Sequence, residues 1–371
     1  MKNTLSFLSS CSFLVCAVGM LFLMLFMPTT SQAQRLECSF GTDGVITQAL
    51  TGLTLPQVHP FDVYQSGTQS GKIVVAISVQ ISPQQNNPFV PENRNSLVAR
   101  LDANGNLDPT FGAGGFTASV NFDNQHDIPK DIFAMPNGKV VVVGQSDGPF
   151  LFGGPQQGLM ALRFTAAGAL DNTFAGNGKF KKLFKTSGAQ NQASGGWERG
   201  LIQPDGKIVV CGQTNGPGSD MLPAVARLNT NGTLDATFAG NGLSRVNFVR
   251  EGVQVFNIET FTHVALDGLD ILAAGHRYTA RHGSPSNDFF IFARFKTTGA
   301  VDTSFSTDGK ETFQVAPDIS HDITGLHGVS GKMLASFDAG TTTDVFNALT
   351  EEGIMMNQTE NPFLDQYDVK K

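Results

Sequence analysis

The sequence contains little of what several protein classes require. Only 15% of its 371 residues are charged and the formal net charge is −7, so no basic surface for nucleic acid is expected. Only two of the four cysteines, Cys38 and Cys211, lie beyond the N-terminal apolar segment, which is too few for a disulfide framework. With 40% hydrophobic residues the chain is not expected to be disordered, and its composition is not that of a coiled coil. Glycine (41) and phenylalanine (30) are abundant instead, which predicts many turns between short strands.

Residues 1–33 have the three parts of a secretory signal. A short basic start precedes an apolar run over residues 13–27, and Ser31 and Ala33 are small residues at the −3 and −1 positions of a cleavage site. This pattern predicts a mature chain that is secreted, displayed on the cell surface or periplasmic, with no membrane insertion after cleavage. An uncleaved anchor and a lipoprotein site at Cys11 are the alternatives.

Two motifs alternate along the chain with a period of about 65 residues. The first is a hairpin followed by Leu/Val-Asp-x-Thr/Ser-Phe, with a truncated copy at the start of the mature chain. Its phenylalanines are Phe40, Phe111, Phe174, Phe238 and Phe305. The second is a glycine turn followed by an apolar strand. Its glycines are Gly71, Gly138, Gly206, Gly268 and Gly331.

Each repeat is interpreted as four antiparallel strands. Asn-Gly and Asp-Gly between β-rich runs favour tight hairpins, because both central residues of a type I′ turn need a positive φ. In the second repeat the strands are predicted over 131–135, 139–145, 159–164 and 179–184. Four-stranded units repeated radially form an all-β β-propeller, and an open β-solenoid is the alternative.

The two ends of the repeat region complement each other. Residues 36–40 form a corner without its upstream hairpin, and residues 348–353 form a hairpin without its downstream corner. This predicts five blades, with the N- and C-terminal segments sharing one blade that closes the ring. The propeller domain is then 34–356, followed by a loose tail over 357–371.

The repeats also resemble a known family. The stretches 203–210 and 227–238 are similar to the delta-60 repeat family of exported bacterial proteins. The resemblance covers roughly 35–355 and implies a β-propeller fold and bacterial export. The family has no established activity, so the resemblance implies no catalytic residues.

Several polar residues admit a structural interpretation. The acid before Thr/Ser-Phe recurs in every repeat and is expected to accept backbone N–H bonds at a tight corner. Cys211 is expected to be a small core residue, although a bridge to Cys38 is an alternative. One repeat also has the alternating oxygen ligands of a calcium loop, and a plain turn is the alternative. The calcium candidates are Asp102, Asn104, Asn106 and Asp108.

Functional residues are expected where the longer connections gather at one end of the ring. Acids and imidazoles there are predicted to hold a cation or a polar ligand at the channel mouth; Trp197 could instead pack between blades. The candidates are His59, Asp62, His126, Asp131, Trp197, Glu198, Glu259, His321 and Asp322. The sequence thus favours a binding or scaffold module for an unknown extracellular or periplasmic ligand or protein. A glycosidase- or lactonase-like hydrolase at the channel mouth and a surface-displayed structural protein are the alternatives, and no motif decides whether the chain is an enzyme.

Overall fold

The computed structural model of the protein describes fifteen segments of the chain. They are residues 4–6, 47–49, 53–81, 93–123, 126–151, 154–184, 196–215, 221–248, 256–280, 287–306, 308–314, 322–329, 332–338, 343–350 and 353–354. Within these segments every regular element is a β-strand, which confirms the predicted all-β class. None of the described residues belongs to an apolar helix of membrane-spanning length. The predicted cleavage site and the predicted tail lie outside the described residues.

The strands are short and follow one another along the chain. Their bounds are β1 Thr4–Ser6, β2 Thr47–Ala49, β3 Gln57–Val63, β4 Ile73–Gln80, β5 Arg94–Leu101, β6 Asp127–Ala134, β7 Val140–Leu151, β8 Gly154–Phe164, β9 Lys179–Lys182, β10 Trp197–Ile202, β11 Ile208–Asn215, β12 Met221–Leu228, β13 Leu243–Arg245, β14 Phe256–Asp267, β15 Asp270–Ala280, β16 Asn287–Phe295, β17 Lys310–Gln314, β18 Asp322–Val329, β19 Lys332–Asp338, β20 Thr343–Thr350 and β21 Gly353–Ile354.

These strands form five successive antiparallel units. Unit 1 is β3-β4-β5, unit 2 is β6 to β9, unit 3 is β10 to β13, unit 4 is β14 to β17 and unit 5 is β18 to β21. A single parallel pair, Met221 with Ile258, joins units 3 and 4 into one eight-stranded sheet. In unit 1, isolated bridges from Ser96 to Val120 and from Ala99 to Phe116 stand where the other units have a fourth strand. Outside the units, β1 pairs with β2.

Unit 2 has the predicted four strands but different connections. The predicted strands 139–145 and 159–164 leave a long connection between them, and this is wrong, because β7 and β8 go on pairing, after a register shift between Asp147 and Phe150, until Leu151 pairs with Gly154. The strand ends are glycine-rich and polar, which lowers β-propensity without preventing two antiparallel strands from pairing. The hairpins 208–228 and 270–295 are extended in the same way.

Successive units pack face to face through alternate residues of their strands. Val140 and Val142 belong to a core shared with unit 1, whereas Val141 and Val143 belong to a core shared with unit 3. The same alternation builds cores between units 3 and 4 and between units 4 and 5. Because successive side chains point to opposite faces of a strand, a run such as Val140–Val143 can be fully buried. Cys211 is buried in the third of these cores with a free thiol.

The repeated acid of the corner motif forms an ion pair with an arginine from the preceding strand. We call this ion pair, with the backbone bonds of the same aspartate, the arginine–aspartate clasp. In unit 2, Asp171 accepts bonds of 2.7 Å from Arg163 Nε and from Lys139 Nζ. Its other oxygen accepts the backbone N–H of Thr173 at 3.1 Å. Arg163 lies 4.7 Å from the ring centroid of Phe174 and donates to the Thr230 carbonyl of the next unit. The clasp therefore fastens one unit to the next, and the structural role predicted for the acid is confirmed.

The clasp recurs in units 1, 3 and 4. Its acids are Asp108, Asp171, Asp235 and Asp302, and their partners include Arg100, Arg163, Arg227 and Arg294. Burial alone would raise the pKa of Asp235, but bonds from Thr237 and the charges of Lys207 and Arg227 lower it to about 2. The clasp is therefore ionised at neutral pH and stabilises the fold there.

Candidate functional site

A glycine in the second strand of units 2, 3 and 4 determines the shape of the neighbouring first strand. These glycines are Gly144, Gly212 and Gly275. A Cβ at Gly212 would overlap the Gly196 carbonyl and lie 2.8 Å from the Cα of Trp197. Only a residue without a side chain allows the first strand to approach so closely.

Opposite these glycines each first strand contains a β-bulge. The pairing skips one residue of β6, β10 and β14, and units 1 and 5 have a register shift at the matching level. The residues left out of the pairing are His59 with Pro60, Lys130, Glu198, Thr262 and Thr324, and we call the five polar ones the bulge set. Bulges often lie beside functional sites because they redirect a side chain out of the ladder.

The first strands of successive units lie side by side, so members of the bulge set meet. Lys130 Nζ lies 2.9 Å from Glu198 Oε2, and both side chains are about one-third exposed. His59 Nε2 is 2.9 Å from Ser78 Oγ. Burial and then the positive charge of Lys130 lower the pKa of His59 to about 4, so its imidazole is neutral at pH 7. Two predicted site residues, His59 and Glu198, are thus brought to the same lysine.

Asp62 and Asp131 bond to the backbone of the following unit. Asp62 accepts the N–H groups of Val63 and Ala134 at 2.8 Å each. Asp131 accepts the N–H of Ile132 at 3.0 Å and that of Gly200 at 3.1 Å. Burial raises the pKa of Asp131, and these N–H groups oppose the rise. Both carboxylates position neighbouring first strands beside the bulge set.

Trp197 and Glu259 belong to the interior. Trp197 is fully buried and its ring centroid is 5.3 Å from that of Phe184. Of the two alternatives for Trp197, the structure places it in packing between units. Glu259 is fully buried as well, and it accepts the backbone N–H of Phe248 at 3.3 Å.

The remaining predicted site residues lie at strand starts. His126 precedes β6, and its carbonyl accepts the N–H of Asp147 at 2.9 Å. Asp322 begins β18 and pairs in the ladder with Asp338. His321 lies outside the described residues.

A second group of acids near His126 was not predicted. Asp127 is fully buried and its carboxylate accepts the N–H of Phe122 at 2.7 Å. Burial raises the pKa of Asp127 to about 6, and the nearby Asp147 adds to the rise. Asp127 lies four residues before the predicted strand 131–135, so no sequence signal pointed to it. A fully buried carboxyl cannot touch a substrate without a rearrangement.

The calcium candidates have other partners in the structure. Asp102 accepts the backbone N–H groups of Asn104 and Asn106 at 2.9 Å each, as an Asx turn does. Asp108 belongs to the clasp of unit 1, with Lys72 at 2.7 Å. No group of three or more His, Cys, Asp or Glu side chains suited to a metal occurs among the described residues. These contacts fit the turn interpretation, and calcium binding stays a prediction.

Comparison with family models identifies a β-propeller. The model described as "Domain of unknown function (DUF5122) beta-propeller" matches residues 92–111 and 203–238. With the repeated four-stranded antiparallel sheets, this match supports a β-propeller fold and a repeat family of unknown function. The delta-60 resemblance stays a prediction, as do the number of blades and the closure of the ring.

Solved structures with a similar arrangement include carbohydrate-active enzymes. A mannose phosphorylase from Leishmania mexicana is 12% identical, covers 81% of this chain and 86% of its own, and has a TM-score of 0.37. An exo-1,5-alpha-L-arabinanase from a bovine ruminal metagenomic library is 12% identical, covers 83% of this chain and 97% of its own, and has a TM-score of 0.33. A polysaccharide lyase, an ulvan lyase, is 10% identical, covers 83% of this chain and 73% of its own, and has a TM-score of 0.39. No curated protein matches the sequence.

Proposed function

We propose that the protein is an exported β-propeller binding module whose ligand site is the bulge set. The observation that carries this proposal is the Lys130–Glu198 ion pair, held at 2.9 Å between two bulges of neighbouring units. A lysine donates and a carboxylate accepts, so the pair can bind a ligand that carries hydroxyl or amide groups. The pair remains partly exposed, whereas Asp131 beside it is already bonded to the backbone.

The proposal includes a ring of five blades closed through the chain ends, and the core of unit 1 supports it. Four cores are each built from two consecutive units. Among the described residues, the fifth core is formed by unit 1 alone, with Val75, Ile77 and Ala99 in it. Val75 and Ile77 are nevertheless 1% and 0% exposed. We infer that unit 5 and the N-terminal corner cover this face.

The corner motif gives the closing segment a specific place. Each of the four shared cores contains one phenylalanine of the repeated corner, namely Phe111, Phe174, Phe238 or Phe305. The unit 1 core has no such phenylalanine among the described residues. Phe40 ends the one further copy of the corner and is therefore proposed to fill that position.

Export is proposed from the signal sequence, and the mature chain would begin at Gln34. The ligand would then be extracellular or periplasmic. The tail over 357–371 is proposed to lie outside the propeller.

The binding proposal is tested with the charge-neutral variant K130Q/E198Q. Purified protein is screened by thermal shift against sugars, hydroxy acids, amino acids and divalent cations. A ligand of this site should raise the Tm of the wild type, since anything that binds only the folded state stabilises it. In K130Q/E198Q the shift for that ligand should be lost.

The matched control is D308N/K310Q, which removes another ion pair, 3.2 Å long and far in the sequence from Lys130 and Glu198. A ligand shift that persists in K130Q/E198Q and disappears in the control would contradict the assignment. If a hit is consumed during the assay, the hydrolase alternative replaces the binding module.

A further inference from the structure

We propose that Arg199 makes the bulge set selective for ligands that carry a carboxylate, such as a uronic acid. This inference rests on the proposed function, because it names the chemistry of the same site. Arg199 directly follows the bulge residue Glu198 on β10. On the first strand of unit 3 it is therefore the chain neighbour of one member of the Lys130–Glu198 pair.

The guanidinium of Arg199 is available to a ligand. Its side chain is exposed, and it donates no hydrogen bond or ion pair to any other residue that the structure describes. Most other arginines in the described segments donate to a carboxylate or a carbonyl. These are Arg94, Arg100, Arg163, Arg227, Arg277 and Arg294.

Two titratable groups on the neighbouring first strands interact with Arg199, a carboxylate and an imidazole. Asp131 lies near enough to interact with Arg199, but its two oxygens accept the N–H groups of Ile132 and Gly200. On the other side is His263, whose Nδ1 lies 3.1 Å from Thr262 Oγ1. Burial and then the charge of Arg199 lower the pKa of His263 to about 4, so the imidazole adds no positive charge at pH 7. Since both Asp131 oxygens bond to the backbone, Arg199 interacts with that carboxylate through charge, and its own N–H groups donate to no described residue.

The residue types define the ligand. A guanidinium matches a carboxylate with two parallel, charge-assisted N–H···O bonds, which are stronger than the bonds it can donate to the hydroxyl oxygens of a neutral sugar. Glu198 is already neutralised by Lys130, so it does not repel an anion held by Arg199. The same pair can bond to hydroxyl groups of the ligand, and Thr262 adds a further hydroxyl from the bulge of unit 4. A sugar acid combines the required carboxylate with hydroxyl groups.

The test uses D-glucuronate and D-glucose as probes, titrated into the full mature chain and measured by calorimetry. Wild-type protein should bind D-glucuronate at least about tenfold more tightly than D-glucose, and R199Q should lose about tenfold in D-glucuronate affinity. K182Q, which removes one exposed lysine from β9, should bind as the wild type does. In NMR titrations, bound D-glucuronate should raise the pKa of His263.

Two outcomes would overturn the inference, and they separate it from the proposed function. Equal affinity for the two sugars, unchanged in R199Q but lost in K130Q/E198Q, would leave a binding site at the bulge set without carboxylate selectivity. No binding of D-glucuronate to the wild type would refute the carboxylate ligand, while the thermal-shift screen would still test the site itself. If K182Q lost as much D-glucuronate affinity as R199Q, the loss in R199Q would be due to the change in net charge and not to a specific contact with Arg199.

Discussion

Replacing Asp235 with asparagine is expected to lower the free energy of unfolding by about 3 kcal/mol. The carboxylate is 4% exposed and lies 2.8 Å from Arg227 Nε and 3.2 Å from Lys207 Nζ. Removing it leaves a buried guanidinium without its counter-ion, which costs far more than losing an exposed pair. Arg227 also donates to the Thr297 carbonyl of unit 4, so the contact between the two units should weaken as well. Urea denaturation of the wild type and of D235N measures the difference.

The matched control is D123N, because Asp123 is 74% exposed in its 3.3 Å pair with Lys181. D123N should lower the free energy of unfolding by less than about 1 kcal/mol. The pKa of Asp235 is lowered to about 2 in the folded state and is near 4 in the unfolded chain. The ionised carboxylate therefore contributes its full stabilisation of the fold above about pH 4. The difference between D235N and the wild type should therefore shrink as the pH falls from about 4 towards 2. If D235N were as stable as D123N, the ion pair of Asp235 would not stabilise the fold and the account of the clasp would be wrong.

The second large effect is expected from Gly212→Ala. The added methyl would overlap the backbone of Gly196 and Trp197, which a side-chain rotation cannot relieve. Strand β10 must move or lose its bulge. We expect the free energy of unfolding to fall by about 3 kcal/mol, at the upper end of overpacking effects. Because Glu198 is the bulge residue opposite, the variant should also lose any ligand that depends on Glu198. Urea denaturation and the thermal-shift screen measure the two effects.

Gly176→Ala is the control for this prediction. Gly176 has a φ of +80° but open space where a Cβ would lie, so alanine there costs only the left-handed conformation, about 1 kcal/mol. If G212A and G176A lost the same stability, the close approach of the first strand to Gly212 would not be required for folding.

The repeat architecture could be predicted from the sequence because its signals are local. The turn at Gly138 was predicted, and Gly138 has a φ of +79°. Its predicted type I′ geometry is wrong, because Asn137 has no positive φ and the N–H of Gly138 donates to the Met135 carbonyl at 2.8 Å, as in a three-residue turn that ends in glycine. The role of Asp171 followed from its recurrence in every repeat, since a catalytic acid is needed only once. Its arginine partner was not predicted, because Arg163 lies eight residues before Asp171 and only the folded corner brings them together.

The candidate site was predicted only in part, for reasons of register. A bulge is a difference of one residue between two paired strands, so it cannot be read from one strand alone. Gly144 and Gly212 at the same place in successive repeats were the available signal, and they point to Lys130 and Glu198. Trp197 was placed in a loop although it begins β10, because the alternation around it is too short to define the strand start.

The central claim is that the units close into a ring through the N-terminal corner, and a cysteine cross-link tests it most directly. In unit 2 the N–H of Ala175 donates to the Asn231 carbonyl at 2.7 Å, and Gly41 and Asn104 are the matching positions across the proposed closure. Backbones in such contact lie within the range that a disulfide spans.

The variants are G41C/N104C and, as a positive control, A175C/N231C, both with Cys38→Ser. Cys211 should not interfere, because burial raises the pKa of its thiol. The ring predicts that both pairs form an intramolecular disulfide under the same mild oxidant, as seen by mass spectrometry. A cross-link in A175C/N231C without one in G41C/N104C would contradict the closed ring.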